Sequence, residues 1–341
     1  MSSNDVPPPG DDPTPRRAVA TQERGGETDR AAHAKVSRVG DRVMTISSTV
    51  ASAIIVLAVA FVAFFLTTSA VPALLANNAN FFGTNEWTMD PNNLRFGILG
   101  LLWTTVLTST IALLLAVPVS VGIALLITHY TPKRIGQPIA FVVDLLAAVP
   151  SVIFGLWGFQ FLAPFLRPFS EFLRSTVGAV IPGFRGGLAV PDGSAFTAGI
   201  VLAIMILPII TALCRDSFAQ TPRDEIEASL ALGATRWEVM RMAVLPYGRS
   251  GVVAASMLGL GRALGETIAV MIILSTPGAG PIDFSIFAGG ETFASTIAAN
   301  QGEFNHPLTT GAYIAAGLTL FLITFVVNAL ARVVADSGKA K

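Results

Sequence analysis

The 341-residue chain has a single cysteine, Cys214, which excludes an internal disulfide and a multi-cysteine metal site. Its three histidines, His33, His129 and His306, stand far apart, with no metal-ligand spacing among them. Charge is scarce as well: 13% of residues are Asp, Glu, Lys or Arg, against roughly a quarter in an ordinary soluble domain. The formal net charge is zero, so nothing points to a nucleic-acid partner. Walker A and Rossmann glycine patterns are both missing, and the chain is expected to bind no nucleotide or other cofactor itself. No nucleophile, metal cluster or acid–base pair stands in a recognisable arrangement, so no catalytic residue and no metal ligand is assigned.

What fills the chain is apolar. Hydrophobic residues make up 52% of it, and its mean hydropathy is +0.64. Residues 1–42 hold 14 of the 44 charged side chains, whereas Ile98–Thr128 holds none. A chain that crosses lipid repeatedly, with its charges in a tail and in loops, has this pattern. Six stretches reach the roughly 20 apolar residues that span a bilayer core as a helix. They are Met44–Leu66, Ile98–Thr128, Ile139–Leu162, Ala195–Cys214, Gly251–Leu274 and Thr310–Val333. Pro118 predicts a tilt or kink in the second. Residues 1–42, rich in Pro, Gly, Asp and Arg, cannot bury a core and read as a disordered cytoplasmic tail. They are too long and polar to open a secretory signal. The rest, 43–341, reads as one transmembrane domain.

Lysine and arginine orient the spans. With the N-terminus inside, the inner segments carry Arg30, Lys35, Arg38 and Arg42, then Lys133 and Arg134, then Arg215, Arg223, Arg236 and Arg241, and finally Arg332, Lys339 and Lys341. The outer loop 275–309 has no Lys or Arg. One outer loop disagrees, carrying Arg167, Arg174 and Arg185. There Phe165, Phe169, Phe172 and Leu173 share one face of a helix with Arg167 and Arg174 on another, which suits a helix lying in the outer interface. Both termini are therefore placed in the cytoplasm. Trp87, in another outer loop, reads as an interfacial anchor. Asp144, at the inner end of the third span, is expected to face headgroups or a neighbour's basic side chain.

The most informative stretch is the inner loop Thr221–Pro246, TPRDEIEASLALGATRWEVMRMAVLP. Thr221 with Asp224, and Thr235 with Glu238, are Thr-x-x-acid pairs that start helices, and Pro222 suits a first helical position. Two short helices bent at Gly233 are predicted, with Ile226, Leu230 and Trp237 as apolar knobs. Such a pair can be a lipid-surface element or an insert for a partner's groove. The spacing Glu227-Ala228-Ser229, then Gly233, then Ala243-Val244-Leu245-Pro246 resembles the EAA loop of ABC-importer permeases. Ser229 and Ala243 depart from that pattern as small substitutions. The resemblance implies that the loop docks on a separate ATPase, with Glu227 as polar anchor, Gly233 as bend, and Ala228, Leu245 and Pro246 in the same contact element.

In the fifth span Gly251, Ala255, Gly259 and Ala263 recur every fourth residue, a face for close helix packing. Arg262 and Glu266, four apart on one predicted helical face, are costly at membrane depth: at least about 2.5–3.5 kcal/mol for the arginine. They read either as a self-neutralising structural pair or as part of an anion path. A guanidinium's planar, bidentate donors fit an oxyanion and stay charged at any relevant pH. Gly259-Leu260-Gly261-Arg262-Ala263-Leu264-Gly265-Glu266-Thr267, together with Ala148-Val149-Pro150-Ser151-Val152-Ile153-Phe154-Gly155, resembles the permease subunits of phosphate-specific ABC importers. The first span and long tail favour the PstC type over the PstA type. That resemblance implies six transmembrane helices in the type I importer architecture, a bacterial cytoplasmic-membrane location and transport of inorganic phosphate past Arg262 and Glu266. It also implies partners: a PstA-type second permease, two ATPase subunits holding ATP and Mg, an extracytoplasmic phosphate-binding protein, and membrane lipid. Sulfate or molybdate is the alternative cargo. A secondary transporter is the alternative mechanism, but no internal repeat supports it.

Overall fold

The computed structural model describes residues 39–186, 193–274 and 283–337, so residues 1–38 of the expected tail lie outside the described residues. The chain divides into two units, 1–60 and 61–341. The described part of the first is the opening stretch of α1 (Val39–Ala76), an apolar helix that begins before the predicted start of the span. Helix α1 continues into the second unit. There it is followed by a hairpin of β1 (Trp87–Asp90) and β2 (Asn93–Phe96), with Trp87 opposite Phe96. The hairpin was not expected, although Asp90-Pro91-Asn92-Asn93 is turn chemistry between two short alternating stretches.

Helices α2 (Leu99–Leu125), α3 (Lys133–Ala147), α4 (Ser151–Trp157) and α5 (Ala163–Thr176) come next. Then follow α6 (Ala195–Ala219), α7 (Arg223–Ala231), α8 (Arg236–Val239) and α9 (Leu245–Gly265). Short α10 (Ile268–Ile273) and α11 (Phe293–Ala299) precede α12 (Pro307–Ser337). Five helical stretches among the described residues are long and apolar enough to cross a membrane: 40–76, 99–130, 151–179, 195–219 and 307–333.

Two predicted spans are corrected. The third, Ile139–Leu162, is broken between Ala147 and Ser151, because Pro150 steers Val149 away from helical backbone. The long stretch instead begins at Ser151 and runs through to Ala179, absorbing the phenylalanine-rich helix predicted to lie in the interface. In α5 Phe165, Phe169 and Phe172 are indeed exposed. The fifth, Gly251–Leu274, is interrupted at Glu266 and Thr267.

Three π-turns punctuate the helices, at Leu126–Tyr130, Gly158–Leu162 and Met240–Val244. Each closes with an N–H from the residue that precedes a proline: Thr131 to the Leu126 carbonyl, Ala163 to Gly158 and Leu245 to Met240. The following Pro132, Pro164 or Pro246 has no N–H and its ring crowds the carbonyl four residues back. At Pro164 and Pro246 widening the preceding turn by one residue relieves that crowding without ending the helical path, whereas at Pro132 the helix ends, with Thr131 extended.

The core of the second unit is centred on α6, which packs against α2 on one side and α9 on the other. The approach is close because small residues line it. A Cβ on Gly199 would lie 2.6 Å from Ile111, and one on Gly259 would lie 2.7 Å from Ile210. Ala255 and Ala263 are buried in the same face, as the four-residue repeat predicts. Pro118 and Pro208 interrupt α2 and α6, and the Ser120 hydroxyl donates across to the Leu207 carbonyl at 3.1 Å. A second cluster joins the end of α1 to the hairpin and α12 through Ala70, Ala73, Phe96 and Ala312.

Candidate functional site

In the inner loop, α7 starts at Arg223 with Pro222 as its cap residue. Thr221 does not cap it; its hydroxyl is buried without a hydrogen-bond partner. Asp224 and Glu225 in the first turn complement the helix dipole instead. The second start is as predicted: the Thr235 hydroxyl accepts from the Glu238 N–H, and the Glu238 carboxylate accepts from the Thr235 N–H at 2.7 Å. That backbone bond, joined by one from the Thr235 hydroxyl, holds the Glu238 carboxyl below its ordinary value. Between the helices Gly233 has φ +88°, a left-handed conformation that favours glycine.

The loop's exposed surface is more apolar than the three predicted knobs. Leu230 and Trp237 are exposed, but Ile226 turns inward against the core. Leu232, 90% exposed, and Met242, 70% exposed, complete the patch. Their signal was present in the sequence, two long apolar side chains flanking the bend in a water-facing loop. Glu227 and Ala228 lie exposed on α7. Leu245 and Pro246 are not the end of a loop: α8, the π-turn and α9 run on without a break in helical backbone from Arg236 to Gly265.

At the far end of that rod the helix stops at Gly265, and Glu266 takes extended backbone (φ −68°, ψ 127°). Arg262 and Glu266 therefore do not share a helical face. Among the described residues no ion pair joins them, and Arg262 has no hydrogen-bond partner. Glu266 accepts from the Ala269 N–H at 3.3 Å, capping the short helix α10. Arg262 instead opens onto a recess of about 460 Å³ shared with Ile209, Ala254, Met257, Leu258, Gly261 and Asn328. A guanidinium with no partner among the described residues, opening onto a mostly apolar recess, is expected to face water or another subunit.

The stretch 148–155 lies against the short helix that follows 259–267. Helix α4 packs on α10, and a Cβ on Gly155 would lie 2.8 Å from the Cα of Ala269. Asp144 meets a basic side chain of the same chain, Arg215, at 3.5 Å. Trp87, expected as an interfacial anchor, is half-buried: its indole N–H donates to the Tyr313 hydroxyl at 3.2 Å, and that hydroxyl donates to Glu303. Arg185, one of the discordant outer charges, donates to the Gly178 and Ala179 carbonyls.

Five helical stretches long and apolar enough to cross a membrane, with an exposed helix pair between two long helices, define a multi-pass membrane protein. Residues 116–337 match the family described as "Binding-protein-dependent transport system inner membrane component", and the chain belongs to it. Its relatives are more particular. It is 54% identical over 301 residues, 88% of this chain and 93% of the relative, to the Mycobacterium tuberculosis "Phosphate transport system permease protein PstC 2". It is 55% identical over 274 residues (80% of this chain, 86% of the relative) to "Phosphate transport system permease protein PstC" of Mycobacterium leprae. The protein of the same description from Mesorhizobium japonicum is 40% identical over 289 residues, 84% of this chain and 87% of the relative.

Proposed function

We propose that this chain is the PstC-type permease subunit of an ATP-driven importer that carries inorganic phosphate inward across a bacterial cytoplasmic membrane. The observation that carries the cargo is the 54% identity, over 88% of the chain, to a phosphate transport system permease. The unpaired Arg262 in its recess supports the same reading, because a fixed guanidinium attracts an oxyanion and fits its geometry. A PstA-type permease closes the other side of the pathway, and a phosphate-binding protein delivers phosphate from outside. Two ATPase subunits hold ATP and Mg on the cytoplasmic side, one of them seated on the patch around Leu232, Gly233 and Trp237.

In this reading ATP binding draws the ATPases together, and the loop passes that movement into the rod that ends beside Arg262. ATP drives the change only through its different affinity for the two states of the complex. Arg262 meets phosphate in passing. Glu266 shapes the break next to it by accepting the Ala269 N–H. The test is uptake of radiolabelled phosphate by cells whose only phosphate importer contains this chain. Uptake is expected to resist excess sulfate and molybdate. Competition by either at equal concentration would overturn the phosphate assignment.

A further inference from the structure

Helix α12 carries an amide, Asn328, for which the described residues supply no partner. Asn328 lies within the apolar stretch 307–333 and is exposed on the surface of the chain. Among the described residues its side chain has no hydrogen-bond partner. Hydrocarbon is a poor environment for a primary amide with both donors and its acceptor unmet. Such a side chain is placed against water, another subunit or a polar solute.

Its position selects among these. Asn328 from α12 and Arg262 from α9 open onto the same recess, and they are the two side chains there that carry N–H donors. The rest of the lining is apolar, led by Ile209, Met257 and Leu258. We propose that Asn328 is a second anion-contacting residue of the pathway, its amide N–H donating to an oxygen of the oxyanion that Arg262 meets. The inference rests on the assignment of Arg262 to an anion path. A neutral amide suits this role, because it gives direction to the contact without adding the charge that would deepen the site into a trap. Its carbonyl also accepts the O–H that phosphate retains near neutral pH.

The chain's single cysteine makes the test direct. Cys214 is buried in the core of α6, so Cys214→Ala leaves a cysteine-free background in which Asn328→Cys can be labelled. In membrane vesicles holding the assembled importer, a charged, membrane-impermeant thiol reagent is expected to modify position 328. Inorganic phosphate supplied during ATP turnover is expected to slow that reaction severalfold. Asn328→Leu should lower phosphate uptake about tenfold, the loss of one hydrogen bond to a charged group, with recovery of the complex unchanged and Asn328→Gln partly restoring the rate. Failure to label, or a labelling rate that phosphate leaves unchanged, overturns the proposal. If Arg262→Ala abolishes uptake while Asn328→Leu transports normally, only Asn328 is removed from the pathway. If Arg262→Ala itself transports normally, the underlying anion-path reading falls.

Discussion

The rod from Arg236 to Gly265 ends in two different ways. At its cytoplasmic end the chain turns through Gly233, and everything that makes the turn is local: a left-handed glycine, then a capping pair three residues apart. At its other end the helix stops between Gly265 and Ile268, where no proline stands and the local contact is the one from the Ala269 N–H to Glu266. What accompanies that break is distant in sequence. Gly155 of α4 lets Ala269 come within a distance that any side chain would forbid, and α10 settles onto α4 as a separate helix. One end is built from its own neighbours in sequence, and the other from packing by a segment far away along the chain.

If the two ends are separate devices, damage to each should be separable. The largest effect is expected from Arg262→Ala: phosphate uptake falls to background while the ATPase still co-purifies. Loss of the ATPase as well would show that the two ends are not independent. Next comes Gly233→Val. Nothing crowds a Cβ at that position, so the cost is the left-handed backbone, roughly 1–2 kcal/mol. Recovery of the ATPase is expected to drop severalfold, and Leu232→Asp should do the same without any backbone cost. A normal yield in both would dissociate the exposed patch from docking.

A smaller change is expected at Glu266. Glu266→Ala removes the acceptor for the Ala269 N–H, a capping contact of the kind that contributes about 1 kcal/mol. Uptake should fall severalfold, with Glu266→Gln closer to the parent because its amide oxygen can still accept. Equal loss in both would mean that the charge of Glu266, and not its cap, is what matters. The smallest effect belongs to Thr235. Its bonds hold the Glu238 carboxyl below the ordinary value, so their contribution is present at neutral pH and is lost as pH falls through that lowered value. The protection of the α8 amides, taken relative to their intrinsic exchange rate at each pH, should fall on acidification through that range. Thr235→Ala should lower that protection at neutral pH and weaken its dependence on pH.

The same contrast explains what could be read from sequence. Thr235, Glu238 and Gly233 act within a few residues, and their spacing was enough to draw the bend. The small-residue face Gly251–Ala263 was legible because its period is that of a helix. Thr221 misled because its pairing with Asp224 has the right spacing, yet the hydroxyl is buried beneath the loop. Glu266 misled for a related reason. Four residues of spacing imply a shared face only while the helix continues, and here it stops at Gly265. Asn328 gave no signal, since an isolated amide in an apolar stretch acquires meaning only beside Arg262. The hydrogen bond of Trp87 gave no signal either, because its partner Tyr313 lies 226 positions away.

The π-turn at Met240–Val244 has a mechanical consequence. Because Pro246 is accommodated by widening the helix and not by ending it, the exposed Trp237 and Arg262 ride on one lever. About thirty helical residues at about 1.5 Å each make an arm about 45 Å long, so a tilt of about 5° at one end sweeps the other through about 4 Å. That travel exceeds the reach of a hydrogen bond, so a modest swing at the loop end suffices to make or break contacts at the guanidinium.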